Sequence, residues 1–181
     1  MAHDETFTLA ADPDAARVAA QALFTTVQKE LATLLPPSAE ILHIGATAVP
    51  GCLTKGDLDI VVRVARSDFV NAECVLTDRF ARNSGSVHTE EFAAFEDDER
   101  SPHLGIQLTV TDSALDVFHH FVEALRGNSD LVRHYNEIKL AHRGQPMADY
   151  RAAKDIFIGQ VLASCPLHTL TNNNTSALPI R

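Results

Sequence analysis

Residues 43–64 read HIGATAVPGCLTKGDLDIVVRV, and this stretch decides the fold. The short apolar run 41–44, which overlaps the start of this stretch, predicts a strand, which the glycine-containing turn Gly45–Gly51 ends. Residues Asp57–Val64 are β-branched and largely apolar, a pattern typical of a central strand that is buried on both faces. The sequence therefore predicts a strand–turn–strand unit at the middle of a sheet.

The segments on either side of this unit carry helix and strand patterns. Asp12 and Pro13 form a typical helix start, and the proline pair at 36–37 ends that helix. Downstream, the patterns predict a helix over 67–80 and strands over 87–95 and 104–110. Three helices follow: one over 111–125, one that begins at a Ser129 cap, and one over 147–163. The predicted class is α/β (α+β), with a mixed sheet, flanking helices and a C-terminal helical segment.

The chain has 181 residues, which suits one domain. We expect that domain to cover residues 1–165. Residues 166–181 contain the run TLTNNNTS and few apolar side chains, so we expect a disordered tail there.

Charge and apolar patterning exclude several classes of protein. The net charge is −9, which argues against non-specific binding to nucleic acids or anionic membranes, since both require clustered Lys and Arg. No apolar run reaches the roughly 20 residues of a membrane span, and the N-terminus lacks the pattern of a signal peptide. The three widely spaced cysteines are typical of reduced thiols, so we expect a cytoplasmic protein.

Two carboxylates and a glycine turn form the candidate site. Asp57 and Asp59 are two residues apart in a predicted strand, so their side chains should lie on the same face. Such a pair is costly to bury without a cation, and Mg²⁺ prefers one or two carboxylates together with substrate phosphates. The turn at Gly45 would let the backbone approach a phosphate, and Lys55 could bind one as a point charge.

Each of these residues also has a purely structural interpretation. An Asp-x-Asp sequence at a strand start often serves only as a cap or turn element. Lys55 is equally consistent with a solvated loop lysine. The residue pattern alone leaves both alternatives open.

The run from His43 to Gly51 resembles the GrpB family signature His-Ile-Gly-Ser-Thr-Ser/Ala-Val-Pro-Gly. Lys55 and Asp59 stand where that family has Lys and Asp, and the similarity extends over about residues 10–163. The spacing of aromatic and basic residues near the C-terminus also follows the family: Phe121 to Arg126, Tyr135, Lys139, Tyr150, Lys154 and Phe157. This resemblance implies the nucleotidyltransferase superfold.

The chain departs from that superfold in two places. The Gly-Ser pair of the superfold is Gly45-Ala46 here, which removes a hydroxyl, although Thr47 could replace it. The third carboxylate is expected near Ile106–Thr109, where this chain has no acid and lacks the histidines that the family tends to carry. Candidate replacements are His103, Glu90 and Glu91.

The resulting prediction is a Mg²⁺-dependent nucleotidyltransferase that moves a nucleotidyl group from an NTP to an unknown acceptor. Asp57 and Asp59 would be the catalytic, metal-holding residues, and Gly45, Ala46, Thr47 and Lys55 would bind phosphate. One alternative is a non-catalytic module that binds a nucleotide, a coenzyme or another phosphorylated small molecule. The other is a regulatory protein-interaction domain, suggested by the acidic run 96–99. The sequence predicts no oligomeric state.

Overall fold

The computed structural model describes residues 5–165, so the predicted tail lies outside the described residues. Five strands occur in this part of the chain: β1 (Glu40–Ile44), β2 (Leu58–Val64), β3 (Ala81–Arg82), β4 (Phe92–Asp97) and β5 (Leu104–Val110). It also contains five α-helices: α1 (Pro13–Ala32), α2 (Phe69–Thr77), α3 (Phe118–Gly127), α4 (Ser129–His142) and α5 (Met147–Ser164). Short 3₁₀ turns cover Ala46–Ala48 and Arg66–Asp68. The predicted mixed α/β architecture is confirmed.

The strands form one mixed sheet in the order β1-β2-β5-β4-β3. The central pair β2 and β5 is parallel, and the other neighbours are antiparallel. In this register Asp59 pairs with Ile44 on one side and with Gly105 on the other, and Gly105 pairs with Glu96. Because paired residues point to the same face, the side chains of Asp59 and Glu96 emerge on one face, on either side of Gly105.

Each face of the sheet carries its own apolar core. Side chains of α1 and α2 pack on the face that contains Leu58, Ile60 and Val62. Side chains of α3, α4 and α5 pack on the opposite face around Val61. The central strand β2 is therefore buried on both sides, as its β-branched sequence predicts. No helix within residues 5–165 combines the length and the apolar character that a membrane crossing needs.

Three predicted boundaries were wrong in ways that have a physical cause. Helix α3 begins at Phe118 and not near residue 111, because Asp116 accepts hydrogen bonds from the Arg63 guanidinium and from the backbone N–H of Asp112. The cap of α4 is Asn128 and not Ser129, since the Asn128 side chain accepts from two backbone N–H groups.

The strand predicted over 87–95 actually begins at Phe92 and runs to Asp97. Glu96, which lies in the acidic run 96–99 beyond the predicted strand, thus belongs to a strand. This shift gives Glu96 a fixed direction, toward the same face as Asp59.

Two glycines make room for the Asp59 carboxylate. Gly45 has a φ of 75°, in the left-handed region, and a Cβ there would lie 2.6 Å from Asp59 Oδ2. A Cβ at Gly105 would lie 2.8 Å from Asp59 Oδ1. The carboxylate is therefore held in a slot between two strand ends that no other residue type can line without displacement.

We expect Gly45→Ala to destabilise the protein, because the left-handed backbone alone costs about 1–2 kcal/mol and the new methyl group would also displace Asp59. The free energy of unfolding in urea is the measurement. Gly159→Ala, in α5, is the control, since a Cβ at Gly159 meets nothing within 4 Å. That substitution should leave stability unchanged or raise it by up to about 1 kcal/mol. Equal stability of the two variants would contradict the slot.

Candidate functional site

A cavity of about 490 Å³ opens where the sheet meets the C-terminal helices and the N-terminal segment. Its lining includes acidic, basic and aromatic side chains. The acidic residues are Asp57, Asp59, Glu96 and Asp98. The basic residues include Lys55, Lys139, Arg151 and Lys154, and the aromatic residues, called the aromatic floor below, are Phe7, Phe118, Phe121, Tyr135 and Tyr150.

The two predicted carboxylates both face this cavity. Asp57 precedes β2 and Asp59 lies within it. Burial, and secondly the negative charge of Asp57, raise the pKa of Asp59 to about 6, against the opposing effect of Lys154. The charge of Asp57 thus disfavours the ionised form of Asp59, and a cation placed between the two carboxylates would relieve that repulsion.

The predicted phosphate-binding turn is only partly directed at the cavity. Gly45 and Ala46 line it. Thr47 does not: its hydroxyl donates to the backbone carbonyl of Asp57 at 3.0 Å and lies 3.0 Å from His43 Nε2. Thr47 therefore ties the turn to the start of β2, and its hydroxyl is already used.

Lys55 also lines the cavity, where it has two acidic neighbours. Its Nζ lies 3.3 Å from Asp57 Oδ2 and 3.7 Å from Glu5 Oε1. Glu5 also contacts Arg151 Nη2 at 3.4 Å. These pairs are partly exposed, so each is worth little stability and an incoming anion could compete for the cations.

Two buried lysines from the C-terminal helices, Lys139 and Lys154, differ in their hydrogen-bond partners. Lys139 donates to Cys52 Sγ at 3.0 Å and to the carbonyl of Leu53 at 2.5 Å, and its Nζ lies 3.6 Å from the centre of the Tyr135 ring. It therefore anchors the loop that precedes β2. Lys154 is 4% exposed and makes no hydrogen bond or ion pair with residues 5–165.

The Lys154 ammonium is therefore buried, lines the cavity and has no direct partner in the described part of the chain. Burial lowers its pKa to about 8, although Asp59 and Asp155 act in the opposite direction. An unpaired buried charge is costly, and an anionic ligand would offset that cost. The sequence analysis quoted Lys154 only for its spacing, and nothing in the local pattern distinguished it from Lys139.

The aromatic floor closes the cavity from the N-terminal side. Phe7 stacks on Tyr150 with ring centres 3.7 Å apart, and the hydroxyls of Tyr150 and Tyr135 lie 3.3 Å apart. Backbone hydrogen bonds between Phe7 and the turn at 144–145 hold this segment in place. The floor gives the cavity an apolar half beside its charged half.

The candidates for a third carboxylate fall in different places. Gln107 lines the cavity on the strand where an acid was expected. Neither Glu90 nor Glu91 lines it, and Glu91 pairs with Arg66. His103 does line it, beside Glu96, which the sequence analysis missed because only the β4–β5 register directs Glu96 inward.

We expect Asp59→Asn to remove a pH-dependent loss of stability. A carboxyl whose pKa is raised to about 6 binds its proton more tightly in the folded state, so the wild type gains stability as pH falls from 7 toward 4. The melting temperature in EDTA of Asp59→Asn should exceed that of wild type at pH 7, and the difference should shrink toward pH 4. A difference that is constant over this range would contradict the raised pKa.

The comparisons with known proteins agree with this architecture. The family model described as GrpB protein matches residues 15–164. A UPF0157 protein from Vibrio cholerae serotype O1 is 36% identical over 141 residues, covering 77% of this chain and 74% of the relative.

Solved structures show the same fold at low identity. The crystal structure of the conserved protein GrpB from Enterococcus faecalis has a TM-score of 0.63 at 19% identity, covering 79% of this chain and 90% of that one. The Cid1 poly(U) polymerase bound to MgATP has a TM-score of 0.52 at 14% identity, covering 82% of this chain and 49% of that one. The fold is thus nucleotidyltransferase-like, and the resemblance noted in the sequence is confirmed: the chain belongs to the GrpB family.

Proposed function

We propose that this protein is a Mg²⁺-dependent nucleotidyltransferase that binds an NTP in the cavity and passes its nucleotidyl group to an acceptor. The observation that carries the proposal is the arrangement of charge. A pair of carboxylates beside a glycine turn lines the cavity, and so does a buried lysine that has no hydrogen-bond or ion-pair partner among residues 5–165. A magnesium nucleotide presents both complementary charges at once, a cation for the carboxylates and phosphates for the lysine.

The residues suit a magnesium ion by their chemistry. Asp57 and Asp59 offer oxygen ligands, which Mg²⁺ prefers, and the raised pKa of Asp59 is the cost that the ion would offset. When bound, the ion would neutralise charge on the phosphates during transfer. In the proposal Asp57 and Asp59 hold it, and the slot between Gly45 and Gly105 fixes the direction of the Asp59 carboxylate.

The remaining residues would position the nucleotide. Gly45 and Ala46 present backbone to the cavity without a bulky side chain, and Thr47 contributes by holding their turn. Lys55 and Lys154 would contact phosphate oxygens. The cavity volume of about 490 Å³ lies within the range typical of small-molecule sites, and the aromatic floor could receive an apolar group such as a base.

A second candidate is a module that binds a nucleotide or another phosphorylated small molecule without turnover. It is favoured by Gln107, an amide on the strand where an acid is expected, and by Ala46, which has no hydroxyl. The regulatory interaction domain loses part of its support, because Glu96 and Asp97 belong to β4 and not to a free acidic loop.

The free thiols of Cys52, Cys74 and Cys165 support the expected cytoplasmic location.

Thermal melting with each NTP, with and without Mg²⁺, tests the site. A ligand at 100 times its Kd adds about 2.7 kcal/mol, so wild type should show a clear shift with one or more NTPs only when Mg²⁺ is present. Asp57→Asn/Asp59→Asn should lose the shift. The control Asp78→Asn changes an exposed carboxylate at the end of α2, away from the cavity, and should keep it. No shift with any NTP at millimolar concentration would refute the proposal.

Transfer itself is tested with the NTP that gives the shift, labelled at its α-phosphate. Label should move to a component of a cell extract in the presence of wild type and not of Asp57→Asn/Asp59→Asn. A Mg²⁺-dependent melting shift without any transfer of label would favour the binding module.

Lys154→Met tests whether Lys154, unlike Lys139, contributes to ligand binding and not to stability. Removing an unpaired buried ammonium should leave the melting temperature of the free protein equal or higher, while the NTP-dependent shift shrinks. Lys139→Met is the matched comparison: it should lower the melting temperature, because the carbonyl of Leu53 and the Cys52 thiol lose their donor. An undiminished NTP shift in Lys154→Met would exclude Lys154 from phosphate binding.

A further inference from the structure

A second group of metal-ligating side chains lies on the other side of Gly105 from Asp59. Glu96 ends the inward face of β4, while Asp98 and His103 flank the turn between β4 and β5. Each of the three offers one ligand atom, and these atoms all lie within 4.8 Å of one another. His103 Nε2 is 2.9 Å from Asp98 Oδ1.

That spacing is close to what one ion requires. Metal–ligand distances of about 2.0–2.2 Å place two ligand atoms roughly 4.4 Å apart on opposite sides of an ion and roughly 3–3.6 Å apart when they are neighbours. The cluster therefore needs to close by up to about 1–2 Å. Asp98 is largely exposed and His103 is partly exposed, so their side chains have the freedom to make that adjustment.

Gln107 gives an independent indication that a ligand belongs here. It is 6% exposed, it lines the cavity, and its amide makes no hydrogen bond with any residue in the range 5–165. Its Nε2 lies 3.8 Å from the point that a Cβ on Gly105 would occupy, so the amide borders the gap over Gly105. Nε2 is a donor, so an oxygen ligand carried by a bound metal ion, such as a hydroxide, would accept a hydrogen bond from it.

We propose that Glu96, Asp98 and His103 bind a divalent transition-metal ion, such as Mn²⁺ or Zn²⁺, next to the gap over Gly105 that Gln107 borders. The imidazole favours these ions over Mg²⁺, which prefers oxygen ligands alone. The site consists of residues other than Asp57 and Asp59, so its existence does not depend on nucleotide binding. Its use in transfer, where Glu96 would replace the missing third carboxylate, rests on the proposed function.

The competing explanation is a plain ion pair between His103 and Asp98 with Glu96 nearby. An exposed pair of this kind contributes little stability and would have no particular affinity for metals. It also leaves the amide of Gln107 without a hydrogen-bond partner among the residues that the structure describes. Metal affinity that depends on Glu96 and His103 together distinguishes the two explanations.

Mn²⁺ titration of the EDTA-treated protein, followed by electron paramagnetic resonance without nucleotide, tests the site. Asp57→Asn/Asp59→Asn should still bind one Mn²⁺, with modulation from an imidazole nitrogen. In that background, Glu96→Gln should weaken binding by about tenfold or more, and His103→Gln should also abolish the nitrogen signal. Glu99→Gln, an exposed neighbour outside the cluster, is the control and should change nothing.

The outcome that overturns the site is an Asp57→Asn/Asp59→Asn protein that binds no Mn²⁺, or one whose Mn²⁺ shows no nitrogen coordination. Unchanged affinity in Glu96→Gln would overturn it equally. Melting curves of each variant without metal show whether it folds. Mn²⁺ bound here together with no NTP shift in wild type would refute the nucleotide proposal alone, and the reverse result would refute this site alone.

Discussion

The confinement of the Asp59 carboxylate is the constraint on which the rest of the site depends. The group lies on β2, where Gly45, the residue after β1, and Gly105 of β5 present a main chain without a Cβ. A carboxylate in such a position cannot rotate away from its neighbours, so the charge of Asp57 and the loss of water act on it fully. Holding the ionised Asp59 carboxylate in this position therefore costs free energy, and the charges of the surrounding residues raise or lower that cost.

Lys154 compensates the charge of Asp59 only in part. Its charge opposes the rise in the pKa of Asp59, yet it forms no ion pair with any carboxylate within residues 5–165. A direct pair would have been more stable and would have closed the site. Keeping the two charges apart leaves a polarised cavity that already presents opposite charges to a ligand. This is the usual exchange of stability for preorganisation at functional sites.

The sequence predicted those features that depend on local patterns. The β-branched run identified β2, and the i, i+2 spacing directed Asp57 and Asp59 toward the same cavity. Features that depend on contacts distant in sequence could not be predicted in this way. The inward direction of Glu96 follows from the pairing of β4 with β5, and the different uses of Lys139 and Lys154 follow from which of them meets the 52–53 loop.

Gly105 connects the carboxylate pair with the second cluster. It pairs with Asp59 on one side and with Glu96 on the other, so any side chain there would stand between the two acids. The superfold is expected to carry its third carboxylate farther along this same strand, where Gln107 lines the cavity in this protein. Glu96 of β4 lines the same cavity from the other side of Gly105. The absence of an acid on β5 is therefore no evidence by itself that the cavity lacks a third acid.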